Sequence, residues 1–246
     1  MKYTLLFLGL VTMLLVPSCM FQYKQFDNYE VCPYSTRYGH LYPAGTFVLK
    51  QHCVDELARM LGIVTRALET VNIPYFICGG SLLGYMRHDK QMIPFDDDID
   101  LCIFASDEQL QGITPHLQGL TLRQFVGWWK IKSMNISFMD RTTIAIDLFQ
   151  MVPTEDNMIV LMDKLARAAW PKTNYPHDLV FPLQRTLFCG VPVFRPYDPL
   201  SLLKREYGGD CMDVGYINNI HSPVPYLALN FSIQRKPSKK IWIKHS

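Results

Sequence analysis

Residues 79–101 read GGSLLGYMRHDKQMIPFDDDIDL, and the interpretation of the whole chain turns on this stretch. Gly79, Gly80 and Ser81 form a turn signal ahead of a helix-like run, and Asp96, Asp97, Asp98 and Asp100 follow a short distance later. Glycines let backbone N–H groups come close to a phosphate, and the start of a helix adds a favourable dipole. Asp98 and Asp100 are two apart at the mouth of a strand, so both carboxylates leave from one face and can share a hard divalent cation. The spacing of Asp96, Asp98 and Asp100 also imitates the opening of an EF-hand loop. Leu101 stands where that loop needs its turn glycine, and the chain then enters an apolar strand, which excludes it.

Working outward, residues 75–78 (YFIC) are a short apolar strand candidate before the glycine turn, and 99–104 are a second strand after the acids. Upstream, Val54, Leu57, Leu61, Val64, Leu68 and Val71 recur at the three-and-four spacing of an amphipathic helix, with Thr46 as its N-cap and Asn72 and Pro74 at its end. Downstream, 121–134, 136–139 and 143–152 are rich in β-branched and aromatic residues and read as sheet. Residues 158–170 (MIVLMDKLARAAW) read as helix, the Pro-rich 171–199 as irregular chain or edge strand, and 199–209 as a short helix stopped by Gly208. The fold class implied is α/β (α+β).

Asp147 stands inside the apolar run 144–149 (IAIDLF). An unpaired carboxylate buried there would cost several kcal/mol, so it needs a partner, either a metal or a structural cation. A lone Gly-Gly-Ser is most often only a turn, and an acidic cluster most often a solvated loop. The ordered combination of turn, paired aspartates and a third acid on another strand is far more specific.

That combination resembles the LicD/fukutin family of the nucleotidyltransferase (polymerase-β-like) superfamily. The resemblance rests on Gly80-Ser81-Leu82-Leu83-Gly84, Arg87-His88, and residues 93–100 (IPFDDDID), where Phe95 replaces the family's usual Trp. It extends through Ile146-Asp147-Leu148-Phe149 to Phe181-Pro182-Leu183, residues 188–193 and residues 203–208, covering about residues 50–215. It implies a mixed sheet flanked by helices, and metal-dependent transfer of a phosphorylated small group, such as phosphocholine or phosphoribitol, from a CDP-linked donor to a glycan hydroxyl. Asp98, Asp100 and Asp147 would be both the catalytic residues and the ligands of Mg²⁺, with Mn²⁺ as its alternative. Gly79, Gly80, Ser81, Arg87 and His88 would bind substrate, Arg87 by clamping phosphate oxygens. His88 also reads as a structural residue, Asp96 as a loop-orienting acid, Lys204 and Arg205 as facing donor or solvent, and Trp128, Trp129 and Tyr85 as stacking platforms or core. Two other functions fit the same residues: a nucleotidyltransferase that forms an activated nucleotide compound, and a non-catalytic secreted relative that binds glycan or nucleotide.

With 246 residues the chain suits one domain. Lys and Arg number 24 against 22 Asp and Glu, which gives no reason to expect a nucleic-acid partner. Residues 4–16 (TLLFLGLVTMLLV) are apolar and uncharged, so 1–21 read as a cleaved signal peptide or a signal anchor, the latter holding the protein at a membrane as a type II protein in the Golgi or ER lumen. Residues 22–45 read as a linker, 46–230 as the catalytic domain and 231–246 as a basic tail. Seven cysteines form no CxxC pair and no zinc spacing. Cys32 and Cys53 are a candidate disulfide, Cys78 and Cys102 are candidate buried thiols, and sequons stand at Asn135 and Asn230.

Overall fold

The structure, a computed structural model, describes residues 51–93, 96–133, 144–213, 215–217 and 222–224. The signal segment, the linker, Thr46, Cys32, both sequons, strand candidate 136–139 and the basic tail lie outside the described residues.

The first helix, α1 (Gln51–Thr70), buries its apolar stripe of Leu57, Leu61, Val64 and Leu68 completely. It packs against strands β2 (Asp98–Ile103) and β5 (Ala145–Pro153) at the centre of a mixed sheet. The first strand, β1 (Tyr75–Ile77), pairs antiparallel with β2, and β2 pairs parallel with β5. Beyond β5 come β4 (Trp128–Ser133) and β3 (Leu120–Phe125), both antiparallel to their neighbours. The order across the sheet is β1-β2-β5-β4-β3. Period-two alternation gives β2 and β5 two unlike faces: Ile99, Leu101, Ile146 and Leu148 are wholly buried, while Asp98, Asp100 and Asp147 stand on the other side. The sequence run 121–134 is thus a hairpin, its strands β3 and β4 joined at Val126 and Gly127, where Gly127 takes φ +93°.

Two expectations need correction. Residues 158–170 are not one helix: Met158–Leu161 form β6, which extends the C-terminal end of β5, and only Lys164–Ala169 form a helix, α4. The β-branched Ile159 and Val160 satisfy the sheet, and Asp163 caps the helix by accepting from the Ala166 N–H at 2.8 Å. The Pro-rich segment is also more ordered than irregular chain. It contains β7 (Asn174–Pro176), which pairs with β6, a one-turn helix α5 (His177–Val180), and a hairpin of β8 (Gln184–Phe188) and β9 (Val191–Arg195). That hairpin turns at Cys189 and Gly190, both at positive φ, a two-residue turn hidden in sequence by its cysteine. It closes on β1, with Tyr75 edge-on to Phe194 at 5.6 Å.

Over the acidic face lie α2 (Gly79–Arg87) and α6 (Pro199–Tyr207), which pack on each other. The α6 helix is capped by Asp198, through its bond from the Ser201 N–H, and stops at Gly208, φ +106°. A short helix α3 (Asp107–Gln111), and strands β10 (Gly215–Ile217) and β11 (Ser222–Val224), complete the described elements.

Helix α2 is held to the loop before the acids by absence of a side chain. A Cβ on Gly84 would lie 2.8 Å from the Gln91 carbonyl oxygen and 3.0 Å from the Ile93 nitrogen, both backbone atoms that cannot swing aside. Gly84→Ala is therefore expected to lower stability by about 1–3 kcal/mol despite alanine's better helix propensity, read as a lower urea midpoint. An unchanged or higher midpoint would contradict this close approach.

Candidate active site

Parallel pairing of β2 with β5 sets Asp100 opposite Asp147 and Asp98 opposite Ala145. The result is a three-carboxylate cluster: Asp98, Asp100 and Asp147 each offer an oxygen, all within 4.8 Å of one another. Asp96, Asp97 and Asp98 form an adjoining acidic group of the same compactness.

The glycine turn serves these acids directly. Gly80 N–H donates to Asp100 Oδ2 at 3.1 Å, and the Asp100 N–H donates to Ser81 Oγ at 2.8 Å. A Cβ on Gly79, which sits at φ +53°, would fall 2.6 Å from Asp100 Oδ2, and one on Gly80 would fall 2.7 Å from Asp96 Oδ2. In this arrangement the helix N-terminus seats a carboxylate, where the sequence pattern pointed to a phosphate. Ser81 is buried and engaged with that same strand.

Crowding like charges in a half-buried site raises their proton affinity. Burial first, then Asp98, Asp147 and Glu206, push the Asp100 carboxyl well above the usual range against the pull of Gly80 N–H. Burial and the neighbouring aspartates do the same to Asp96. Asp147 is pushed up to about 7 by burial, against the attraction of Lys130 and with the repulsion of Asp98. These oxygen ligands fit a hard divalent cation. Asp147 Oδ1 is engaged by Lys130 Nζ, which approaches it to 2.8 Å.

Lys130 was not singled out by sequence reasoning. The signal was present in residues 128–133 (WWKIKS), where Lys130 and Lys132 alternate with apolar residues in a strand and so share a face. Lys130 lies across from Asp147 in the β4–β5 register, and although burial opposes its charge, Asp147, Asp98 and Asp97 together hold its ammonium above the ordinary lysine range. Glu206 is a second such residue. It accepts from Tyr175 Oη at 2.9 Å, and burial, outweighing the hydrogen bonds from Tyr175 and Tyr207, pushes it up to about 7. Its charge reaches Asp100, which places the α6 signature beneath the cluster.

Other candidates lie elsewhere. Arg87 is at the far end of α2 from the glycine turn; it is buried and donates to the Cys211 carbonyl and to His88 Nε2, both at 3.4 Å. These contacts brace α2 against the C-terminal segment. His88 is buried beside it, and burial together with the Arg87 charge holds the imidazole down at about 3, so it is neutral at physiological pH. Trp129 is core, donating from Nε1 to Asp107 and Gln150, and Tyr85 pairs with Thr186. Trp128 packs among Phe125, Phe149 and Trp170. Lys204 is exposed, and exposed Arg205 binds the Asn174 carbonyl. Cys78, Cys102 and Cys211 are buried free thiols, while Cys53 is disulfide-bonded.

Comparison with known proteins places this geometry among relatives. The family model described as LicD/FKTN/FKRP, nucleotidyltransferase domain, matches residues 72–198. An uncharacterized protein of Rickettsia prowazekii is 34% identical over 138 residues, 55% of this chain and 48% of its own length. The ribitol 5-phosphate transferase FKRP of Mus musculus is 27% identical over 186 residues, 71% of this chain and 35% of that protein. This chain thus spans about a third to a half of the length of these relatives. Among solved structures, the lincosamide antibiotic adenylyltransferase LnuA shares 14% identity at TM-score 0.36, covering 56% of this chain and 78% of that one. A nucleotidyltransferase-like protein of Paracoccidioides brasiliensis shares 16% at TM-score 0.33, covering 63% of each.

The raised carboxyls carry a signed consequence. Folded Glu206 keeps its proton up to about pH 7, whereas an unfolded glutamate releases it near pH ~4.3, so the folded state binds the extra proton between those values. Its contribution to stability is present at the acid end and is lost as pH rises through about 7. Buried His88 works oppositely, favouring folding as pH rises through roughly 6.5, so the comparison must isolate Glu206. The Tm of Glu206→Gln relative to the parent chain is expected to climb from pH ~4 to ~7. Parallel curves across that window would contradict the raised carboxyl.

Proposed function

This chain belongs to the LicD/FKTN/FKRP family of nucleotidyltransferase-domain proteins, and we infer from that membership that it is a phosphotransferase of glycans. We propose that it moves a phosphorylated small group from a CDP-linked donor to a glycan hydroxyl, using Mg²⁺ or Mn²⁺ held by Asp98, Asp100 and Asp147. The observation that carries this reading is the meeting of three carboxylates from two adjoining strands, each offering an oxygen within 4.8 Å of the others. A divalent ion there supplies charge neutralisation on the donor diphosphate and its leaving nucleotide.

The chain's own residues then have separate tasks. Asp98, Asp100 and Asp147 fix the site on rigid strands, and Gly79 and Gly80 allow the helix start to lie against Asp100 and Asp96. Ser81 and the Gly80 amide hold Asp100 in orientation. In the transfer the acceptor hydroxyl oxygen bonds to phosphorus, the bond from phosphorus to the nucleotide oxygen breaks, and CMP departs with the electron pair. The hydroxyl's proton passes to a carboxylate of the cluster.

The disulfide at Cys53 supports an oxidising, secretory-pathway setting, as does the apolar run at 4–16. Among the described residues no helix is long and apolar enough to cross a membrane.

The test is CMP release from CDP-ribitol, CDP-choline and CDP-glycerol with Mg²⁺ and glycan acceptors. One donor is expected to be consumed, with at least about a hundredfold loss of kcat/KM in Asp98→Ala, as removal of a metal ligand demands. Donor synthesis from CTP, in place of donor consumption, would favour the nucleotidyltransferase alternative. Donor or glycan binding without turnover, unaffected by Asp98→Ala, would favour a binding protein.

A further inference from the structure

The register across four adjoining strands carries more than the metal ligands. Asp100 of β2 pairs with Asp147 of β5, Asp147 with Lys130 of β4, and Lys130 with Arg123 of β3. One row of the sheet therefore runs acid, acid, base, base, and its sign changes between Asp147 and Lys130. There the two charges touch, Nζ to Oδ1 at 2.8 Å. Asp147 belongs to the proposed ligand set, so the ammonium stands against an oxygen that a divalent cation would require.

We propose that Lys130 is a mobile counter-ion: in the metal-free chain it neutralises Asp147, and when the divalent ion binds it changes partner to the phosphate oxygens of the donor. This rests on the metal-dependent transferase reading. Three features favour exchange over a fixed ion pair. The Lys130 side chain keeps 20% of its surface exposed against 9% for Asp147, so the lysine has freedom that the carboxylate lacks. Lysine is a point charge on a flexible four-carbon stem and can turn without moving its strand. Formal charge also leaves room for the ion, because Lys130 alone offsets only one of the three carboxylates. One divalent ion with Lys130 offsets the three carboxylates, and an arriving diphosphate adds negative charge on the basic side of the row, where Arg123 lies beyond Lys130. In this role Lys130 touches both ligand carboxylate and substrate, so its loss has opposite effects on the two.

The experiment is Mn²⁺ binding to the 246-residue chain without turnover, followed by the free-ion electron paramagnetic resonance signal, with CDP affinity measured separately on the Mn²⁺-loaded protein. Lys130→Met is expected to bind Mn²⁺ about tenfold tighter than the parent, because the competing charge is gone, and to bind CDP about tenfold more weakly. Lys130→Arg keeps the charge but holds a carboxylate through a planar fork, and is expected to bind Mn²⁺ about tenfold more weakly. The order Met, Lys, Arg distinguishes displacement from a general charge effect, which leaves Lys and Arg equal. Should the methionine variant fail to fold, the comparison of lysine with arginine still decides. Equal Mn²⁺ affinity for Lys130 and Lys130→Arg, or no tightening in a folded Lys130→Met, would overturn the inference while leaving the transferase reading intact. Absence of saturable Mn²⁺ binding in the parent chain would overturn both.

Discussion

Repulsion among three carboxylates is the constraint around which this structure is arranged. Asp98, Asp100 and Asp147 bring oxygens within 4.8 Å of one another in a partly desolvated site, an arrangement that costs stability unless protons or cations share it. The fold sustains it by rigid means. Parallel β2 and β5 fix the lateral spacing, an apolar face packed under α1 anchors both strands, and the N-terminus of α2 turns a backbone N–H toward Asp100. Lys130 supplies a full positive charge, in an ion pair with Asp147. Raised proton affinity at Asp96, Asp100 and Asp147 is the residue of this strain, and a divalent cation is the species that would relieve it.

Division of labour between the glycines and the acids follows from the same constraint. Gly79 and Gly80 are needed because carboxylate oxygens occupy the space where a Cβ would stand. The helix start is thereby engaged with Asp100.

Much of the fold was legible because local signals and tertiary demands agreed. The stripe of α1, the strand-turn-helix around Gly79, the acid-bearing strands and the α6 stop at Gly208 each follow from periodicity or turn chemistry. Legibility failed where the reason was nonlocal. Residues 158–161 have apolar character that suits helix or strand, and only the free edge of β5 decides for strand. The Cys189-Gly190 turn hides a hairpin that β1 stabilises. At the site, the three aspartates could be named from sequence, but the partner of Asp147 could not, since nothing in residues 128–133 says that Lys130 will lie across from it. Glu206 was visible only as part of a signature, and the contact of Arg87 with the Cys211 carbonyl, 124 positions away, was not legible at all.

The central claim is that Asp98, Asp100 and Asp147 jointly hold a divalent cation, and anomalous diffraction from crystals soaked in Mn²⁺ measures that location directly. The account predicts a peak in contact with oxygens of all three side chains, at about 2.0–2.6 Å as hard-cation coordination requires, with Lys130 Nζ no longer at Asp147. A peak elsewhere on the molecule, or a cluster that stays bridged by Lys130 at saturating Mn²⁺, would contradict it.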